Sequence, residues 1–211
     1  MSIRTKLLMS LTAIALACSL SAAGAYGNRL RFDDDDFKMR FIGLNWAIAG
    51  GGGFASCAVT LLGRLHEVVV TKTAGSLIGT ISLANVNDAG CPAGRARFLP
   101  EDLPWHLVYS NFTGRLPAIT GIGVSIIGMG FQFTAGGITC LGRSTLIEPA
   151  RASFSVEAGG RLSGFHMEGG ARIDLNDVGG GMLCDLADSE LNGSGTVEDG
   201  TDAISPRVTL I

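Results

Sequence analysis

The sequence predicts an all-β protein, a single β-sandwich or barrel with two disulfides that follows a cleaved signal peptide. Beyond the first 40 residues, apolar runs of four to nine residues alternate with Gly, Asn, Asp and Pro, a pattern typical of short strands separated by turns. The 31 glycines fall between those runs, where they suit turns and bulges that bend a sheet. After the N-terminal segment we find no amphipathic helical pattern of two or more turns, which favours a sandwich or barrel.

The first 25 residues have the pattern of a secretory signal peptide. Arg4 and Lys6 precede an uncharged run from Leu7 to Leu20, and small residues follow up to Ala25. Because this order suits export and cleavage, we predict a cut after Ala25 and a secreted or cell-surface location, with the periplasm as an alternative. The run is shorter than the roughly 20 residues that cross a bilayer, and no later stretch is long and apolar enough to form a transmembrane segment.

Residues 26–40 combine an acidic run, 33–36, with flanking Arg and Lys and few apolar side chains. This composition predicts an exposed acidic leader ahead of an all-β domain at 41–211. Loss of Arg4 and Lys6 with the signal peptide leaves 14 basic against 19 acidic residues, a net charge of −5. We expect no nucleic-acid partner, since binding to nucleic acid needs clustered Lys and Arg and the sequence contains no such cluster.

Ten segments have the length and composition of strands. In 152–157, Ala, Phe and Val alternate with Ser, Ser and Glu, so one face is expected to cover a core and the other to meet solvent. The run 121–128 is expected to be buried on both faces. Pro104 suits a strand start before Trp105, because proline is tolerated there but not in the middle of a sheet. The predicted strands are 41–49, 55–62, 65–72, 77–84, 105–110, 118–127, 129–134, 153–158, 161–167 and 207–211.

Cleavage would remove Cys18 and leave four cysteines, Cys57, Cys91, Cys140 and Cys184. An even number in an exported chain predicts two disulfides, because the compartments outside the cytoplasm are oxidising. A zinc site is the alternative, but zinc ligands usually come in close pairs such as CxxC, and the sequence has none. Three pairings are open. The segments after Cys57 and Cys140 are loosely similar to each other, which favours Cys57–Cys91 and Cys140–Cys184.

The three histidines, His66, His106 and His166, lie in or beside predicted strands. Because the sequence lacks HExxH, the paired CxxC of zinc deaminases and a GxSxG elbow, we predict no catalytic residue, no metal site and no cofactor. A secreted hydrolase using His106 or His166 with a nearby Asp stays open, and it requires a histidine, a carboxylate and a serine or metal in one pocket. The acidic run 33–36 offers oxygen ligands for calcium but lacks the spacing of a calcium loop.

Several short motifs follow one another in an order that resembles the PraB-like group of secreted bacterial proteins, described as activators of alkane oxidation, and related exported β proteins. The likeness covers residues 55–197, and its most specific part is the Leu-Pro-Trp step after Gly-Cys. It implies a non-enzymatic extracellular role connected with hydrocarbon use and the biofilm matrix. The acidic leader and the long segment between the last two cysteines depart from the group. The motifs are Cys57, Gly90-Cys91, Leu103-Pro104-Trp105-His106-Leu107, Gly121-Ile122-Gly123, Thr139-Cys140 and Cys184.

We therefore expect a non-catalytic secreted or cell-surface β protein that acts in the biofilm matrix or at an apolar surface such as hydrocarbon. An exposed apolar patch above a few hundred Å² would suit that role. One alternative is self-assembly, in which residues 207–211 or the leader pair with an open sheet edge of a second copy. The expected partners are the chain itself and apolar or extracellular matrix material.

Overall fold

The computed structural model describes residues 29–48, 54–87, 91, 94–135, 138–176, 189–200 and 205–211. It confirms the all-β prediction: these residues form fourteen strands and one short 3-10 turn, Pro100–Asp102, and contain no α-helix. The predicted signal peptide lies outside the described residues.

The fourteen strands, β1 to β14, follow one another along the chain. The first seven are β1 (Arg29–Phe32), β2 (Asp36–Ile48), β3 (Phe54–Leu65), β4 (Val69–Thr71), β5 (Leu77–Asn87), β6 (Arg95–Phe98) and β7 (Trp105–Arg115). The last seven are β8 (Ala118–Ile127), β9 (Gly130–Ala135), β10 (Ile138–Arg143), β11 (Ala150–Val156), β12 (Leu162–Asn176), β13 (Ser189–Asp199) and β14 (Val208–Leu210).

Eight strands close into an antiparallel barrel. Their order is β11-β8-β7-β5-β3-β2-β13-β12, and β12 pairs back with β11. An eight-stranded barrel has an interior just wide enough for side chains to fill. Four phenylalanines from β2, β11 and β12 fill part of it, with ring centroids 4.8 to 6.1 Å apart: Phe37, Phe41, Phe154 and Phe165. The barrel is therefore a packed core.

Two small sheets extend this core. Strand β1 lies between β14 and β4 in the first, and it contributes the buried Leu30 and Phe32. In the second, β10, β9 and β6 continue from the end of β12. Phe98 of β6 packs between two barrel tryptophans, 6.0 Å from Trp46 and 4.9 Å from Trp105 by ring centroids. Both indoles are fully buried, which joins the second sheet to the barrel.

The prediction of an exposed leader was wrong for residues 29–40. Leu30, Phe32, Phe37 and Met39 are at most 5 % exposed. Alternate residues of β1 and of the first part of β2 point into the core, while the charged residues between them point outward. Charged and apolar residues alternate here with the period of two that is typical of a strand, and the high charge led to the prediction of an exposed segment. Residues 26–28 lie outside the described part of the chain.

The predicted strand at 118–127 is confirmed as β8, and β7 begins at Trp105 as expected from Pro104. The expected burial of both faces is confirmed at Gly121–Val124, where all four residues are buried. The glycines allow it, because Asn111 and Thr113 of β7 occupy the space that a Cβ at Gly123 or Gly121 would need. The strand predicted at 65–72 is present only in part: Val69–Thr71 form β4, whereas β3 ends at Leu65 and the chain bends at residues 66–68 between the two strands.

Cys57 and Cys91 form a disulfide, with Cα atoms 4.2 Å apart, so the favoured pairing is present and a zinc site at these two residues is ruled out. Cys57 is fully buried in β3. Closing a loop over 34 residues stabilises the fold by about 4 kcal/mol in the chain-entropy model. Cys140 of β10 is also disulfide-bonded, and its predicted partner Cys184 lies outside the described residues.

Candidate functional site

The three histidines do not converge. His66 is exposed in the bend after β3, and His106 is exposed on β7. His166 of β12 is half-buried, and both of its ring nitrogens are hydrogen-bonded to serines. Nε2 lies 2.8 Å from Oγ of Ser155 on β11, and Nδ1 lies 2.8 Å from Oγ of Ser194 on β13. The Ser155–His166–Ser194 row thus links three neighbouring strands of the barrel.

This row meets only part of the geometry expected of a hydrolase. A histidine that activates a serine is normally oriented by a third group, most often a carboxylate. Here Ser155 takes that place, and within the described ranges no carboxylate is hydrogen-bonded to a histidine. The row fixes the orientation of the imidazole ring and of the Ser194 hydroxyl. The sequence did not predict it, because the two serines lie 11 and 28 residues from His166 along the chain.

The carboxylates of the acidic run at 33–36 bond to neighbouring segments of the fold. Carboxylate oxygens of Asp34, Asp35 and Asp36 lie within 4.8 Å of one another. Arg64 of β3 lies 2.7 Å from the Asp35 carboxylate, and this hydrogen bond lowers the pKa of Asp35 below its ordinary value. Asp34 accepts a hydrogen bond from the Asp36 N–H at 3.0 Å, and Asp33 accepts one from the Arg207 N–H at 2.6 Å. These carboxylates therefore tie the β1–β2 connection to β3 and to the segment before β14.

A groove of about 610 Å³ lies on the outer surface of the barrel, across β13, β2, β3 and β5. Four of its side chains are cross-strand neighbours in a single row, in which Thr196 pairs with Arg40, Arg40 with Thr60, and Thr60 with Asn85. The groove also includes Ser194, which connects it to the Ser155–His166–Ser194 row.

Ile42 lies in this groove and is 93 % exposed, and β2 carries a bulge directly after it. Phe41 and Leu44 pair with Val59 and Cys57 of β3, so β2 has one residue more than its neighbour over this stretch. The register with β13 shows the same excess. The extra residue lets both Phe41 and Leu44 point into the core, while Ile42 between them points outward. Bulges are frequent beside functional sites, where they redirect a side chain.

The connection between β10 and β11 presents a second unusual surface. At residues 145–148 the Thr145 N–H donates to the Glu148 carbonyl, and the Glu148 N–H donates to Oγ1 of Thr145, both at 3.0 Å. Leu146 and Ile147, at the tip of this turn, are 78 % and 92 % exposed. Buried Ser144 anchors the turn, since its Oγ accepts the Met129 N–H at 2.9 Å. The aliphatic pair is thus held outward by a hydrogen-bonded turn.

The other large apolar side chains with substantial exposure are 41 to 50 % exposed: Val68, Leu77, Leu83, Leu116 and Ile211. Each keeps half or more of its surface covered, so Ile42, Leu146 and Ile147 are the most exposed of the aliphatic side chains whose burial the structure describes. The turn had a sequence signal that our prediction missed, an apolar pair between Thr145 and Glu148-Pro149 outside every predicted strand. Among the described residues, no helix has the length and apolar character needed to span a membrane.

Comparisons with known proteins found no matching family model, no matching curated protein and no matching solved structure. The resemblance to the PraB-like group therefore stays a prediction.

Proposed function

We propose that this chain is a non-catalytic secreted or cell-surface protein that attaches to apolar material, such as hydrocarbon or lipid, through the Leu146–Ile147 turn. The observation that supports the proposal is the exposure of both aliphatic side chains at the tip of a hydrogen-bonded turn. Because large aliphatic groups that stay exposed to water contribute nothing to the stability of the fold, such a pair suggests a function outside the fold.

The convex shape of the turn favours an apolar phase as the partner. A protruding pair of side chains enters a deformable phase without a matching pocket. Burial of a Leu or Ile side chain contributes about 1.5–3 kcal/mol, so the pair contributes about 3–6 kcal/mol before the costs of association are subtracted. One copy would therefore bind weakly and reversibly. Many copies in a matrix or coat would bind firmly through avidity.

A location outside the cytoplasm agrees with this role. The Cys57–Cys91 disulfide is typical of an oxidising compartment, and the predicted signal peptide would direct the chain there. The acidic net charge suits contact with uncharged apolar material better than contact with an anionic surface.

The test is adsorption of the protein to hexadecane droplets and to vesicles of uncharged phosphatidylcholine. A double variant, Leu146→Ser with Ile147→Ser, is expected to adsorb at least about tenfold more weakly, because it loses both aliphatic contacts. Leu83→Ser, an exposed leucine on the barrel wall, is the control and is expected to adsorb like the unmodified protein. Equal adsorption of the double variant and the unmodified protein would refute the proposal.

Two alternatives have weaker support. In self-assembly by strand exchange, residues 207–211 would join a second copy, yet β14 already pairs with β1 of its own chain and buries Val208. Both outer strands of that sheet, β14 and β4, have three residues, and short edges oppose sheet extension. A hydrolase has His166 and two serines in its favour, without a carboxylate partner among the described residues.

A further inference from the structure

The groove beside Ile42 presents hydrogen-bonding side chains at regular intervals. Thr196, Arg40, Thr60 and Asn85 follow one another across β13, β2, β3 and β5. Neighbouring strands lie about 4.8 Å apart, so the row offers one polar side chain at each such step. Asn85 and Thr196 are exposed, and Thr60 is half-buried.

The chemistry of the row suits an uncharged, polyhydroxylated ligand. Thr hydroxyls and the Asn amide both donate and accept hydrogen bonds, as sugar hydroxyls do. Nε of Arg40 lies 3.2 Å from the Glu198 carboxylate, which also lies 3.8 Å from Nζ of Lys38, so the guanidinium is already paired within the protein. Ile42 adds an apolar surface beside the row, where the C–H face of a sugar ring can pack.

We propose that this groove binds a neutral polysaccharide chain that lies across the strands, with about one sugar ring over each strand. A sugar ring in an extended chain advances by about one strand spacing, so successive rings meet successive side chains of the row. The volume of 610 Å³ falls within the range of about 300–1,000 Å³ that is usual for ligand sites.

Other occupants fit the groove less well. An extended peptide binds by adding a strand to an open sheet edge, but this groove lies on a face whose central strands, β2 and β3, are paired on both sides. An anionic polymer would be repelled by the acidic net charge of the chain, and the Arg40 guanidinium in the row already pairs with Glu198. The groove and the Leu146–Ile147 turn belong to different strands and connections, so this inference does not depend on the proposed attachment to apolar material.

The test is native gel electrophoresis of the protein in gels that contain dextran, galactomannan or hydroxyethyl cellulose. Gels with anionic alginate and gels without polysaccharide run beside them. At least one of the three neutral polymers is expected to retard the protein. Thr60→Val and Thr196→Val, which remove one hydroxyl each and keep the side-chain shape, are each expected to weaken the apparent affinity about fivefold.

Thr120→Val is the matched control, because it removes an exposed hydroxyl from β8, on the far side of the barrel, and it should leave the retardation unchanged. Circular dichroism of each variant verifies its fold. The double variant at Leu146 and Ile147 should still be retarded, which separates this inference from the proposed function. No retardation in any neutral gel, retardation only in alginate, or equal retardation of the folded Thr60 and Thr196 variants would overturn the proposal.

Discussion

Gly159 and Gly160 form the turn between β11 and β12, and both have a left-handed backbone, with φ of 86° and 83°. Their surroundings differ. A Cβ at Gly159 would meet nothing within 4 Å, whereas a Cβ at Gly160 would collide with the backbone carbonyl of Val208. Gly160 therefore allows β14 to lie close to this turn, where the Val208 N–H donates to the Gly160 carbonyl at 2.7 Å.

We predict that Gly160→Ala lowers the free energy of unfolding by at least about 3 kcal/mol, and Gly159→Ala by only about 1 kcal/mol. Both substitutions place a side chain in the left-handed region, but only the first also forces β14 to move. Urea denaturation of the two variants measures the difference. Equal losses would mean that the close approach of Gly160 to Val208 contributes nothing to stability.

The alternation of apolar residues did not predict which side chains of β2 are buried around Ile42. In a regular strand, Leu44 and Trp46 would share a face with Ile42, and the buried Phe41 would point the other way. The bulge reverses the alternation after Phe41, so Leu44 and Trp46 are buried and Ile42 is not. Gly43, next to two successive apolar residues, was the available signal, but a glycine in a strand does not specify which side chain turns outward.

At the scale of elements, the sequence predicted strands whose inward faces are strongly apolar, such as β8 and β11. It did not predict β13, in which Leu191 and Val197 are the buried large apolar residues. The rest of that strand is polar or glycine, because its outer face meets solvent and a Cβ at Gly195 would collide with the Arg40 carbonyl of β2. Strand β13 therefore depends on contacts with its neighbouring strands, which cannot be predicted from the local sequence pattern.

The C-terminal strand allows a test of strand exchange against pairing within one chain. Because β14 pairs with β1 and buries Val208, removal of residues 207–211 is expected to lower the free energy of unfolding by about 2–4 kcal/mol. The truncation should not change the oligomeric state of the protein. Removal of Ile211 alone, which is 47 % exposed, is the control and should have little effect.

Size-exclusion chromatography and urea denaturation of the three proteins distinguish the two models. If the full chain elutes as an oligomer and the truncated chain as a monomer, β14 is exchanged between copies and the pairing described here does not represent the assembled protein.

For the whole molecule, closure of the barrel determines where recognition can occur. All eight barrel strands have a neighbour on both sides, so the barrel itself offers no continuous open edge to a partner. The distinctive surfaces are instead a bulge, which exposes Ile42, and a turn, which exposes Leu146 and Ile147. A rigid barrel that positions such features is a common arrangement for binding proteins.

Under the two proposals, one copy would hold an apolar phase at the Leu146–Ile147 turn and a polysaccharide in the groove. The all-β class was predictable from strand alternation, and the Cys57–Cys91 pairing was favoured by the loose similarity of the segments after Cys57 and Cys140, because both are properties of the sequence itself. Neither surface was predicted, because the signals in the sequence do not specify the register or the turn geometry that exposes these side chains.

The most direct test of the account measures the surroundings of residue 147 during adsorption. Ile147→Trp introduces an exposed indole, while the native Trp46 and Trp105 are fully buried and give a constant background. On hexadecane droplets the emission of the introduced indole should shift to shorter wavelength and become protected from acrylamide quenching. An Ile42→Trp variant is the control, and the emission and quenching of its indole should not change on the droplets. If the variant adsorbs to the droplets while acrylamide still quenches the indole at residue 147 fully, attachment through this turn is contradicted.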